Sequence, residues 1–117
     1  MKIAVAILAL AMTGCATVAD LEHSLPTLSV ISGKSPQAYA DCVAHKLIDS
    51  RKPPLVEPHH DGLRMIIAQK FSSDPAAVLL IESRSNNGSS IKLYEHFSNV
   101  PIRPKDVQNA ATACISG

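Results

Sequence analysis

A chain of 117 residues with eleven Lys and Arg, ten Asp and Glu and a formal net charge of +1 is long enough for one domain with one modest core and too short for two. A near-neutral balance with no basic stripe excludes the electrostatic footprint of a nucleic-acid binder. The five glycines stand isolated, which excludes a phosphate-cradling loop.

The chain begins as an export signal. Lys2 supplies a positive start, and Ile3 through Met12 form an uncharged apolar run that fits the hydrophobic region of a signal peptide. Ten residues rise only about 15 Å as a helix, half of a hydrocarbon core of roughly 30 Å, so the run is read as a removed signal and not as a span. It ends at Met12-Thr13-Gly14-Cys15. This tetrapeptide resembles the lipobox of bacterial lipoproteins, with Met12 standing where Leu or another branched aliphatic residue is usual.

The resemblance implies cleavage before Cys15, acylation of Cys15 and a mature chain of 103 residues with ten basic and ten acidic side chains. It also implies several acyl chains, and these anchor firmly where a single chain binds reversibly. Ala16 in the second mature position is, by the same resemblance, the mark of sorting to the outer membrane, facing the periplasm. The alternative is an ordinary secretory signal cut after Ala16 or Ala19, which leaves a soluble periplasmic or secreted protein. The expected organisation is therefore a signal peptide over 1–14, lipidated Cys15 and a tether over 15–34, and a small domain over 35–117.

Residues 16–34 show no sustained helical period. Their later part, 27–32, has strand-like composition and is expected either to hang free or to lie along a sheet edge or a bare face of the domain. Ser35-Pro36 is a helix start, a hydroxyl cap followed by the residue best tolerated in the first turn. Tyr39, Cys42, Val43, Lys46 and Leu47 then recur at helical spacing until Arg51-Lys52-Pro53-Pro54 stops the helix near Ser50.

Four strands are expected over 55–58, 63–69, 77–83 and 90–96. Asp61-Gly62 and Asn87-Gly88 are tight-turn dipeptides between them, and Ser72-Ser73-Asp74-Pro75 is a looser connector, so the strands read as an antiparallel meander. Residues 77–81 are apolar on both faces, which makes that strand central, and Pro58 suits an edge. A last helix is expected to start near Pro104 and to bury Val107, Ala110, Ala111, Cys114 and Ile115. The predicted fold is α+β in two layers: helix, four-stranded antiparallel meander, helix, with both helices on one sheet face.

With Cys15 acylated, Cys42 and Cys114 form an even remainder in an oxidising compartment and are expected to pair. The alternative is two buried free thiols. Each lies on the apolar face of its helix, so a bridge would join neighbouring helices.

Glu57, His59 and His60, beside Asp61, form the one cluster of metal-capable residue types. On a strand Glu57 and His59 share a face while His60 points away, so they read more naturally as a polar hairpin tip than as a zinc site, which needs three or four converging ligands. Ser, His and Asp are all present, but no nucleophile-elbow context presents a serine, and no catalytic residue or cofactor is assigned. Ile66, Ala68, Tyr94 and one alternate set of residues in 77–83 form an apolar sheet face opposite the helices. That face suits a protein partner or a second copy, or cover by Leu28 to Ile31.

In layout the mature chain resembles small uncharacterised envelope lipoproteins of Gram-negative bacteria. The resemblance implies the two-layer fold and brings no catalytic residues. The expected function is a membrane-anchored, periplasm-facing interaction module for another envelope protein. An inhibitor or immunity protein against a toxin or cell-wall hydrolase is the second reading, and a weak metal binder using Glu57, His59 and His60 the third.

Overall fold

The computed structural model describes residues 18–69, 75–96 and 105–116. The expected signal, Cys15 and Pro104 lie outside the described residues. The architecture is α+β, a five-stranded antiparallel sheet with three helices. In chain order these are α1 (Val18–Glu22), β1 (Leu28–Ser32), α2 (Pro36–Lys46), β2 (Leu55–His59), β3 (Gly62–Ala68), β4 (Pro75–Ser83), β5 (Ser89–Glu95) and α3 (Asp106–Ala113). No described helix is long and apolar enough to cross a membrane.

The sheet order is β1-β5-β4-β3-β2. The four expected strands form the meander β2 to β5, with β4 central and Pro58 on an edge strand. The sheet has five strands and not four, because the segment expected as a tether adds β1 along the outer edge of β5, pairing Leu28 with Leu93 and Ser32 with Ser89. The reason is alternation: Leu28 and Val30 pack against the core while Ser29 and Ile31 face outward, a period-2 pattern that only a sheet position satisfies. Ser32 Oγ donates to the Ile115 carbonyl at 2.5 Å, tying the end of β1 to the chain after residue 113, and Ser89 Oγ donates to the Lys34 carbonyl at 2.7 Å, holding the link between β1 and α2.

Helix α2 starts as its cap chemistry dictates. Ser35 is extended (φ −63°, ψ 158°), its side chain accepts from the Ala38 amide at 3.3 Å, and Pro36 opens the first turn. Tyr39, Ala40, Val43 and Leu47 form its buried stripe. They share one core with Val107, Ala110, Ala111 and Cys114 of the α3 segment and with alternate residues of the sheet: Met65 and Ile67, Ala77, Leu79 and Ile81, Ile91 and Leu93.

Several links fix α3 against the α2 segment, among them the Ser50 hydroxyl donating to Asp106 Oδ2 at 2.9 Å. Cys42 and Cys114 form a disulfide with Cα atoms 5.9 Å apart. Tyr39 Oη donates to the Ala111 carbonyl at 2.6 Å. Arg51 clamps Asp106 through Nε and Nη2, both at 2.8 Å, while its Nη1 donates to the Ala68 carbonyl at 3.1 Å.

The first hairpin turns one position earlier than its sequence suggests. His59 pairs with Gly62, so His60 and Asp61 are the loop and His60 takes the positive φ of 51°. Gly62 is needed for a different reason, because a Cβ there would overlap the Ile81 carbonyl oxygen and stand 2.8 Å from Glu82 Cα. In the second loop Asn87 carries φ 69°, and the Arg84 amide donates to the Gly88 carbonyl at 2.9 Å.

Candidate interaction surface

The sheet face away from α2 and α3 carries Leu55, Glu57 and His59 from β2, Arg64 and Ile66 from β3, Val78 and Leu80 from β4, and Lys92 and Tyr94 from β5, as the registers place them. Its middle is covered by α1. Leu21, 5% exposed, packs on Val78 and Tyr94, with Val18 and Leu80 at the margin. Of the two places in the domain that the sequence offers for Leu28 to Ile31, a sheet edge or cover for this face, the segment takes the edge, and the helix upstream of it, Val18–Glu22, supplies the cover. A helix this short has no stability of its own in water. Its one buried leucine, the Ser24 hydroxyl donating to the Leu21 carbonyl and a side-chain ion pair to the sheet hold it in place.

That ion pair belongs to a three-member cluster. Arg64 Nε donates to Glu57 Oε1 at 2.7 Å, and Nη1 to Glu22 Oε2 at 3.2 Å. Glu57 and Arg64 are cross-strand partners, a placement in which opposite charges attract, and Glu22 reaches them from α1. The bond to Glu57 raises the Arg64 pKa most, partial burial lowers it, and the bond to Glu22 raises it again, for a net upward shift. The cluster is half-buried, with side-chain exposures of 22 to 34%, so each pair contributes at the upper end of the range for surface salt bridges, about 1 kcal/mol.

This geometry decides what Glu57 does. Its carboxylate is a partner of Arg64 rather than an open ligand. His59 and His60 sit at the hairpin with ring centroids 4.2 Å apart, edge to face, and His60 is exposed. Among the described residues no three His, Cys, Asp or Glu side chains converge on a point, so the metal reading gains no geometry. Cys42 and Cys114 are brought together and Cys15 lies outside the described residues.

The chain matches no known family model, no curated protein and no solved structure. The surface is therefore read from its own chemistry. On the helical layer an open groove of about 260 Å³ runs past Ala44, Leu47, Ile48, Pro53 and Pro54. It is smaller than the usual ligand pocket of about 300–1,000 Å³, and Arg51 beside it is committed to Asp106 and Ala68. Ile48, 68% exposed, stands at its rim.

Arg64 and Glu22 escaped the sequence reading. Arg64 carries no local signal beyond its place in the strand expected over 63–69, and Val18-Ala19-Asp20-Leu21-Glu22 offers a single apolar repeat of three, too little to register as a helix.

Proposed function

We propose that this protein is a lipoprotein of the cell envelope, anchored to the outer membrane through acylated Cys15 and facing the periplasm, whose domain binds another envelope protein. The observation that carries the reading is the cysteine arithmetic. The bridge takes Cys42 and Cys114 and leaves Cys15, directly after a signal-like run, as the one remaining thiol. An exported odd cysteine calls for another chemical role, and thioether linkage to lipid supplies it.

Processing after Ala19 fits less well, since it would remove Val18, which packs beside Leu21 on the sheet. A disulfide-braced domain suits a compartment where thiols oxidise. The proposed role is binding, with the helical layer and its exposed Ile48 as the surface offered.

Two experiments test this. The intact mass of protein extracted from membranes, before and after reduction and alkylation, is expected to show a chain starting at Cys15 with acyl mass and two cysteines blocked until reduced. Capture from cross-linked envelopes is then expected to recover a reproducible partner that a chain bearing only the anchor does not. A non-acylated mature chain refutes the anchor, and identical captures refute the interaction role.

A further inference from the structure

The described chain is fixed to the sheet from Val18 onward, and this shortens the leash drastically. Val18 packs in the cluster of Leu21, Val78 and Tyr94, the His23 amide donates to the Ala19 carbonyl at 3.1 Å, and Glu22 pairs with Arg64 at 3.2 Å. Only Ala16 and Thr17 separate Val18 from Cys15. Covalent geometry limits the Cα distance from Cys15 to Val18 to about 11 Å even when fully extended.

The attachment point matters as much as the length. Helix α1 rests on β4, the central strand, and on its neighbour β5, so across the strand order the chain leaves from the middle of the sheet and not from an edge strand. Five strands at about 4.8 Å spacing make a sheet whose half-width is roughly 10–12 Å. A leash of that same length, starting over the central strand, does not leave enough chain to stand the sheet on either edge strand above the bilayer. The headgroup zone is itself only about 5–8 Å deep on each side of the hydrocarbon.

We propose that the α1-covered face of the sheet lies against the lipid headgroups, held there by the two-residue leash, while the layer of α2 and α3 points into the periplasm. This rests on the anchor reading of Cys15. The occupant of the face is the headgroup layer itself. Arg64 already has two carboxylates for partners, and Asp20 adds a further acidic residue on α1, so the leash and not charge brings the face down. A large partner protein is then excluded from this face and meets the helical layer, roughly 20 Å away across the sheet.

The chain contains no Trp, which makes single-tryptophan reporters available without background. Ala19 is exposed on α1 and Ile48 is exposed on the opposite layer. Acylated full-length A19W and I48W are reconstituted in neutral phosphatidylcholine vesicles containing lipid brominated near the headgroup end of its acyl chains. A19W is expected to lose most of its emission and I48W to keep it, with no dependence on salt. Inserting about sixteen Gly and Ser residues between Thr17 and Val18, a mean reach of roughly 22 Å, is expected to restore the A19W emission.

The mass of the same sample separates the two readings. Acylated protein whose A19W is unquenched, or stays quenched after the insertion, overturns the orientation and leaves the anchor standing. Protein without acyl mass overturns both.

Discussion

Replacing both Cys42 and Cys114 by Ala removes the bridge that closes a loop with a sequence separation of 72. In the chain-entropy model a loop of that length, held shut in the unfolded state, stabilises the native state by about 4 kcal/mol. Trimming the sulfur atoms adds a smaller packing cost at Cys114, which is fully buried, of about 1 kcal/mol. For a domain whose whole stability is about 5–15 kcal/mol, the total is decisive. Helix α3 has eight residues and no independent stability. Without the bridge it still has its buried stripe, the Tyr39 bond, the Arg51 and Ser50 bonds to Asp106 and the Ser32 bond to the Ile115 carbonyl. Urea unfolding followed by circular dichroism is the assay. With a slope of about 1–2 kcal/mol per molar, the midpoint of the double variant is expected to fall by roughly 2.5–5 M and the slope to rise, because the uncrosslinked unfolded chain exposes more surface. The reduced wild-type protein, which keeps its sulfur atoms, is expected to lose only the chain-entropy part, about 4 kcal/mol. A double variant within about 1 kcal/mol of the oxidised protein, with an unchanged slope, refutes the assignment of this stability to the constrained unfolded chain.

Burial pushes the Tyr39 phenol up from 10.0 to about 12, so the folded state holds its proton where the unfolded chain releases it. That stabilisation is fully present below pH 10 and is lost as pH rises from there to about 12, amounting to about 3 kcal/mol; urea midpoints of Tyr39→Phe are expected to lack this part of the alkaline decline. At neutral pH the same variant leaves the Ala111 carbonyl without its donor and costs about 1–2 kcal/mol. Asp106→Ala leaves the Arg51 guanidinium, 5% exposed, without its carboxylate, and is expected to cost about 3 kcal/mol by denaturant unfolding. Gly62→Ala forces β3 away from the Ile81 carbonyl and is expected to cost about 3 kcal/mol, with faster amide exchange measured at Leu63 and Ile81.

Much of this fold is local and therefore legible in sequence. Ser35-Pro36 announces α2 because a cap bond and a fixed φ act within three residues. The two cysteines declared the packing of two helices because each sits in an apolar stripe whose period is set by its own helix. The central place of β4 follows from Ala77 to Ile81 being apolar on both faces. Legibility ends where a partner is distant. The strand at Leu28 shows in its composition and alternation, but its place on the edge of β5 depends on Leu93, and the helix at Val18 depends on Val78 and Tyr94 and carries no signal of its own. His60 shows a subtler failure: Asp61-Gly62 looked like the turn, but the crowding of Gly62 against β4 makes that glycine a ladder residue and moves the positive φ one place back. At the candidate surface, Glu57 and the histidines were visible as residue types. Their roles were not, because Arg64 claims Glu57 through a pairing that only the register defines.

The segment over 18–34 completes the domain instead of leading up to it. Without β1, β5 would present a bare edge with the backbone of Ile91 and Leu93 unpaired, a template for association with other chains. Without α1, Val78 and Tyr94 would open to solvent from the middle of the sheet. Thr27 adds a third tie, its amide donating to the Leu93 carbonyl at 2.8 Å and its hydroxyl to Glu95 Oε1 at 2.6 Å. A pull on the chain at Val18 therefore acts on structure and not on slack. It meets Leu21 and the Glu22–Arg64 pair first, and these are weaker than the five paired positions of β1 behind them. Under load α1 would peel before β1 does, so the second sheet face is the first part of the core to open, while the disulfide between Cys42 and Cys114 keeps the helical layer closed.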